Sequence, residues 1–367
     1  MTTSELKIGI VGAAGRGQAF FDSVNSNENA RLAVLCDTNE EGLKKQAEEL
    51  GITETYTDYE DMLNRAGLDA VIIGTPMHLH AQQSIMALES NVHVMSEVTA
   101  AVTMQEAKEL VAACRKSKYT YMMAENCCYM KPLVLVREIA RAGLFGDMYY
   151  AEGEYLHELK ERNELTPWRR KWQSGINGNT YCTHSLGPIG QWMDQRVVSV
   201  ACIGSGHHYT DPRGDVYENE DTTLMLCRTE KGGLLKLRLD MLSNRPYCLY
   251  YSLQGTTGSY EAPRSPDEQA RIWLKAKSDE IKWFPLSDFE DEFLPEEWKN
   301  LPQAAKEAGH DGSDYFVLRD FVETVTGNSR PSIGIDEAMD MTLPGLISQE
   351  SIAAGGGWLP VPNSRHW

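Results

Sequence analysis

The 367-residue sequence predicts an α/β protein in two parts, a doubly wound parallel sheet followed by an α/β domain on an open, mainly antiparallel sheet. Three observations predict it. The first third alternates short apolar runs with helical stripes of ten or so residues, the pattern of βαβ units whose strands lie parallel. From Gly146 onward, strand signals follow one another at hairpin-like spacing, rich in β-branched and aromatic residues. The length also exceeds the ~250–300 residues at which a single hydrophobic core stops growing. The expected domains are 1–126 and 127–367.

Each element has its own warrant. Residues 7–11 are a short apolar strand ending at Gly12, and a helix pattern runs from about 17 to 24. Residues 31–36 are a second strand closed by Asp37. Residues 39–50 are helical, with Leu43, Ala47 and Leu50 on one stripe. A third strand, 70–74, stops at Thr75-Pro76 and precedes a helix over 80–89. The fourth strand is 92–95. Residues 103–116 form a helix with Thr103 as N-cap and Glu106 completing a capping box. The fifth strand is 119–124, and one more helix spans 133–142. The second part places strands at 148–155, 197–203, 222–228, 234–239 and 247–254. Residues 263–297, rich in Pro, Asp and Glu, read as a surface excursion. A helix over 314–326 buries Phe316, Leu318, Phe321, Val322 and Val325, and another covers 336–353.

Composition excludes several classes of function. There are 35 basic and 53 acidic residues, a net charge of −18, and such a surface repels nucleic-acid phosphates and anionic membranes. Hydrophobic content of 42% and charged content of 24% are those of a folded globular protein. No apolar run approaches the ~20 residues of a membrane span, and Met1 to Glu5 show no basic leader, so a cytoplasmic protein is expected. The 8 cysteines are scattered without a CxxC pair, which suits reduced thiols and no metal site. His207 and His208 are strand neighbours pointing to opposite faces, a poor pair for one metal.

The strand–turn–helix context of Gly12-Ala13-Ala14-Gly15-Arg16-Gly17 gives this glycine-rich turn its meaning. There the backbone can approach a pyrophosphate, and a helix start offers N–H groups to it. Ala14 stands where the middle glycine of GxGxxG would be, so a plain tight turn is the alternative. Asp37, about 20 residues on, suits the hydroxyls of a ribose and repels a 2′-phosphate, which favours NAD over NADP.

With Thr75-Pro76, His80 and Glu97, this turn resembles the Gfo/Idh/MocA family of nicotinamide-dependent oxidoreductases, which implies a Rossmann domain ahead of the open-sheet domain. Members of that family typically carry Glu-Lys-Pro after the fourth strand, where the Lys assists proton transfer. This sequence has Glu97-Val98-Thr99, and valine can carry no proton. Several further segments resemble the NAD-dependent glycosidases of glycoside hydrolase family 109. They are residues 124–129 (Ala-Glu-Asn-Cys-Cys-Tyr), 177–188 (Asn-Gly-Asn-Thr-Tyr-Cys-Thr-His-Ser-Leu-Gly-Pro), Arg245-Pro246-Tyr247 with 254–258, and 309–315 (Gly-His-Asp-Gly-Ser-Asp-Tyr). Cys182 and Ser185 depart from that pattern, in which they are Pro and Gly.

The resemblance implies NAD held by Gly12, Gly15, Arg16, Gly17, Asp37, Thr75, Met77, His80, Glu97, Val98, Asn126 and Tyr181. It implies a sugar pocket of Glu125, Tyr155, Tyr247 and Arg169, although Arg169 and Arg170, which follow Trp168 in a polar loop, read rather more readily as a surface salt bridge. His184 and Tyr181 are the expected proton carriers, three apart and on one face if a helix begins there. The expected chemistry is glycoside cleavage by transient oxidation at sugar carbon 3. A sugar or cyclitol dehydrogenase and a non-catalytic NAD-binding sensor are the alternatives. The resemblance also implies a homo-oligomer, dimer or tetramer, formed through the open sheet face.

Overall fold

The computed structural model describes residues 5–327 and 329–367. In chain order the first elements are β1 (Leu6–Val11), α1 (Phe21–Asn25), β2 (Ala30–Cys36), α2 (Glu40–Leu50), β3 (Glu54–Tyr56) and α3 (Tyr59–Arg65). There follow β4 (Ala70–Ile73), α4 (His80–Glu89), β5 (His93–Ser96), α5 (Met104–Lys116) and β6 (Tyr121–Met123). Next come α6 (Lys131–Arg141), β7 (Met148–Leu156), α7 (Lys160–Leu165), α8 (Pro167–Trp172) and α9 (Thr183–Met193). The remaining strands are β8 (Val197–Gly204), β9 (Thr222–Thr229), β10 (Leu234–Asp240), β11 (Cys248–Gly255), β12 (Gly258–Glu261), β13 (Arg271–Leu274) and β14 (Phe284–Pro285). The chain ends with α10 (Glu290–Phe293), α11 (Glu296–Lys299), α12 (Gln303–Glu307), α13 (Ser313–Gly327), α14 (Ile335–Ala353) and β15 (Leu359–Pro360).

These elements form two compact units. One takes the chain up to Tyr129 together with Leu301–Met339 and Ser364–Trp367; the other takes Met130–Asn300 and Asp340–Asn363. Residues 301–339 thus cluster with the first sheet, whereas a single cut near residue 126 would leave them in the second part. An amphipathic helix such as α13 shows the same stripe whichever sheet it serves, so sequence pattern alone does not assign it.

In the first unit six parallel strands lie in the order β3-β2-β1-β4-β5-β6. The chain steps outward from β1 to β3 and returns to β4 on the other side. The carboxyl ends of β1 and β4 therefore flank the switch point where ligands of doubly wound sheets bind. The helix expected over 17–24 is instead a 3-10 turn, Arg16–Phe20, followed by the five residues of α1. β3 and α3 are additional, with Asp58 capping α3 through the Asp61 N–H. At three and seven residues they are too short to show periodicity. The capping box of Thr103 and Glu106 on α5 is present. α13 buries Phe316, Leu318, Phe321 and Val322, with Val325 half-buried.

In the second unit nine strands run in the order β14-β13-β12-β11-β7-β10-β9-β8-β15. Only β7 and β10 pair in parallel. β13 and β14 come from the segment expected to be a surface excursion; Ile272 and Leu274 on β13 are fully buried and Arg271 is exposed, a strand alternation among acidic neighbours. One sheet face is apolar, with Ala151, Gly153, Leu235, Leu237, Leu239, Tyr251 and Leu253 buried. α9 lies directly on it: a Cβ on Gly153 would stand 2.3 Å from the Ser185 carbonyl oxygen, so only glycine permits this approach. The opposite face carries Glu152, Lys236 and Arg238, with Ile203 and Leu234 exposed.

Candidate active site

The nucleotide side belongs to the first unit and is built on strand ends. β1 runs into Gly12, which has φ +81° and whose Cβ would lie 2.5 Å from the Gly74 oxygen at the end of β4. A Cβ on Gly17 would lie 2.6 Å from Ile10 Cγ2 and 2.8 Å from the Gly12 oxygen. The turn is thus packed tightly on its inner side. On its outer side Gly15 is exposed, and a Cβ there would meet only the Gly12 oxygen at 3.6 Å. Asp37 ends β2 with one oxygen accepting the Ala14 N–H at 2.9 Å and the other accepting the Asn39 N–H at 2.9 Å. A turn tied to a carboxylate and open at Gly15 fits a dinucleotide whose ribose hydroxyls bind the acid and whose phosphates meet main chain.

Arg16 is not a free cation. Its Nε donates to Glu97 at 2.7 Å, and Nη1 and Nη2 donate to the two oxygens of Asp314 at 3.2 Å each. Asp314 also holds His310 Nδ1 at 3.0 Å. Burial works against the Arg16 charge, but Glu97 and Asp314 outweigh it and raise its pKa. Burial likewise opposes the Asp314 charge, yet His310 and Arg16 hold its pKa below the usual range. The His310 pKa is raised, mainly by the hydrogen bond to Asp314 and against the effect of burial.

Other residues of this side serve as braces. His80 is 1% exposed, with Nε2 at 2.8 Å from the Thr75 oxygen and Nδ1 at 3.0 Å from the Thr99 oxygen. Burial lowers its pKa, so the neutral ring donates to one of these carbonyls at a time. The Thr75 hydroxyl donates to Gln83. Met77 and Val98 are buried, and Glu97 accepts the Val98 N–H as well as Arg16. Glu125 and Asn126 follow β6, both buried, with Glu125 accepting the Cys127 N–H at 3.1 Å.

The second unit gathers an aromatic and histidine cluster where β7, β11 and α9 meet. Tyr155 stacks obliquely on His184, ring centroids 5.0 Å apart at 35°. Tyr181 meets the same ring edge-on at 5.0 Å and 81°. Tyr247, 54% exposed, stands 6.4 Å from Tyr155. Tyr181 and His184 come together differently from the expected shared helix face. α9 starts at Thr183, so Tyr181 lies in the preceding turn and folds back against the histidine. Asn179 steadies that turn: its N–H donates to Ser348 and its side chain donates to the Leu237 carbonyl. Arg169, on α8, donates to Gln173 at 2.8 Å and lies over Trp168; Arg170 pairs with Asp211 and Asp215.

Two histidines were not selected from sequence. His157 lies between Tyr155, whose hydroxyl is 2.8 Å from its Nδ1, and Tyr247, 5.0 Å away ring to ring. Its pKa is pushed down to about 4, first by burial and then by the charges of Arg162, Arg169 and His184. The spacing Tyr155-x-His157 was the available signal, since alternate residues of a strand share a face. His310 is the other. It sits at φ +53° in the Gly309–Gly312 turn, half-exposed beside Asp314.

Comparison with known proteins follows the same division. Residues 6–125 match the oxidoreductase family with an NAD-binding Rossmann fold, the class that the sheet order and glycine turn define, and NAD is the cofactor of this class. Residues 129–365 match the C-terminal domain of glycosyl hydrolase 109. The chain belongs to glycosyl hydrolase family 109, a branch of the Gfo/Idh/MocA enzymes. It is 29% identical to a glycosyl hydrolase family 109 protein of Streptomyces filamentosus, over 98% of this chain and 77% of that one. It is 27% identical to an alpha-N-acetylgalactosaminidase of Shewanella oneidensis, over 95% and 82%. Among solved structures, a levoglucosan dehydrogenase in complex with NADH and levoglucosan shares the fold at TM-score 0.84 and 18% identity, over 98% of this chain and 100% of that one. No helix among the described residues is long and apolar enough to cross a membrane.

Proposed function

We propose that this protein is a glycosidase that uses NAD catalytically, cleaving a glycoside by oxidation at carbon 3, elimination, water addition and re-reduction. The observation that carries the reading is the meeting of His184 with Tyr181 and Tyr155 in a family 109 chain that has Val98 in place of the lysine of sugar dehydrogenases. When bound, NAD would supply hydride exchange with carbon 3, so that the sugar undergoes no net redox change.

The chain's own groups move the protons. His184 takes the proton of the carbon-3 hydroxyl, a step suited to an imidazole. The ketone so formed acidifies the hydrogen on carbon 2. Tyr181 removes it, with His184 as the adjacent group able to stabilise the phenolate. The freed electron pair forms a carbon 1–carbon 2 double bond and expels the aglycone. Water then adds at carbon 1, Tyr181 returns its proton to carbon 2, and the proton lost by water balances the departing alkoxide. His184 restores the carbon-3 hydroxyl. The paired carboxylates of ordinary glycosidases are not needed. Glu125, Tyr155, Tyr247 and Arg169 are proposed to bind the sugar. Gly12, Gly15, Gly17, Asp37, Thr75, Asn126 and Tyr181 are proposed to hold the cofactor directly, with Arg16, Met77, His80, Glu97 and Val98 behind them.

The test is a panel of aryl glycosides, beginning with α-linked N-acetylgalactosamine, followed for aryl release and for absorbance of NADH. Release without NADH accumulation is expected, and His184→Ala should abolish it. Stoichiometric NADH with no release would overturn the reading in favour of a sugar dehydrogenase. We also propose that the protein works in the cytoplasm and self-associates through the sheet face bearing Ile203 and Leu234; light scattering of a monomer at micromolar concentration would refute the association.

A further inference from the structure

His184 stands in the first turn of α9, where its carbonyl would accept the N–H of residue 188. Residue 188 is Pro188, inside the helix, and proline has no N–H. The carbonyl loses its intrahelical donor at a residue that is 8% exposed, out of easy reach of water. A buried carbonyl left without a donor is costly. Tyr251 supplies the hydrogen: its hydroxyl donates to the His184 oxygen at 2.6 Å.

Tyr251 is well placed to hold that bond. It is 1% exposed and lies on β11 opposite Gly153 of β7. Trp192, on α9 itself, packs its ring edge-on to Tyr251 at 5.8 Å and 68°. Trp192 is fixed in turn by Nε1 donating to the Leu133 carbonyl at 3.0 Å. The helix start is further pinned by the close approach of Ser185 to Gly153.

We propose that Tyr251 is a positioning residue for His184, replacing the helical donor that Pro188 removes and so fixing the histidine against Tyr155 and Tyr181. The inference rests on the proposed catalytic role of His184. A side chain in the first turn follows its own carbonyl closely, because the two share one Cα. Without the Tyr251 hydroxyl, the carbonyl would rotate toward another donor and carry the imidazole with it.

The experiment compares His184→Ala, Tyr251→Phe, Pro188→Ala and the double variant Tyr251→Phe/Pro188→Ala. Each is assayed for kcat, KM and pH profile on the aryl glycoside, with melting curves alongside. Tyr251→Phe should lower kcat about 10–100-fold with KM little changed, the signature of a displaced reacting group. In the double variant, alanine at 188 restores an N–H to the His184 carbonyl. Most of the lost kcat should return, relative to Pro188→Ala alone. If Tyr251→Phe does not fold, recovery of the melting transition in the double variant is the expected result. The inference fails if Tyr251→Phe keeps wild-type kcat while His184→Ala is dead, or if the double variant is no better than Tyr251→Phe in both measurements. Full activity in His184→Ala would overturn the catalytic reading itself, and this inference with it.

Discussion

Asp314→Asn tests whether the nucleotide turn depends on an ionic node that arrives from far along the chain. Asparagine keeps the shape and removes the charge. The Asp314 side chain is 1% exposed, accepts two hydrogen bonds from Arg16 at 3.2 Å, and holds His310 at 3.0 Å. After the substitution Arg16 keeps only Glu97 as an ionic partner, at 2.7 Å. Removing one partner of a fully buried pair costs about 3–5 kcal/mol. The Arg16 side chain is 29% exposed and asparagine still offers one acceptor, so about 2–3 kcal/mol is the expected loss. For a unit of this size that lowers the melting temperature by about 5–10 °C. If half of the loss falls on the geometry of the turn, NAD affinity drops about tenfold. Melting curves with and without NAD read both effects, since the cofactor's stabilisation shrinks as its Kd rises. A variant that melts with the wild type and binds NAD equally well would refute the reasoning. Arg16→Met and Asp314→Asn should also be non-additive, because both break one interaction.

Three further outcomes follow from the geometry. Asp37→Ser should weaken NAD binding about tenfold and admit NADP, measured by titration with both, because it removes a charged acceptor and the repulsion of a 2′-phosphate. Gly153→Ala should cost about 1–3 kcal/mol in a denaturant melt, since the new methyl meets the Ser185 carbonyl, and it should depress kcat through the displaced helix. The His157 pKa falls from its ordinary 6.5 to about 4 on folding. Between those values the unfolded chain binds a proton that the folded chain refuses, so stability should decline as pH falls through that window. His157→Gln should flatten this part of the stability–pH curve; an unchanged slope would contradict the assignment.

The parallel sheet is legible because buried parallel strands such as Ala70–Ile73 are continuous apolar runs that alternate with helical stretches. The Asp37 carboxylate was legible for the same reason, since a strand end is a fixed place. What escaped notice depended on returns of the chain. Asp314 lies 298 residues beyond Arg16, and nothing local marks it as the partner that occupies the guanidinium. The family resemblance counts Arg16 among the residues that hold NAD; the fold supplies two carboxylates to that cation. Tyr181 and His184 meet ring to ring without sharing the helix face that their i, i+3 spacing would give if a helix began at Tyr181. A turn rather than a helix joins them, because α9 begins only at Thr183. His157 stands two residues beyond Tyr155 and one past the end of β7, where its ring meets the Tyr155 hydroxyl.

The net charge of −18 acquires a local meaning from this arrangement. NAD carries anionic phosphates into a strongly acidic protein, and the one cation of the glycine turn is already matched by Glu97 and Asp314. With His310 neutral, Arg16 and its two acids sum to −1; with His310 protonated, they sum to zero. Neither state offers a surplus positive charge. The turn's own N–H groups are engaged as well: those of Gly15 and Gly17 both donate to the Gly12 carbonyl oxygen, at 3.0 and 3.1 Å, and that of Ala14 donates to Asp37 at 2.9 Å. Ion pairing to Glu97 and Asp314 ties Arg16, and with it the glycine turn, to two other segments of the chain. A comparable tie is found in the second unit. There Pro188 removes a helical hydrogen bond beneath His184 and Tyr251 restores it from the sheet. In both units a residue singled out from local pattern is held by a side chain distant in sequence, a partner that local pattern does not display.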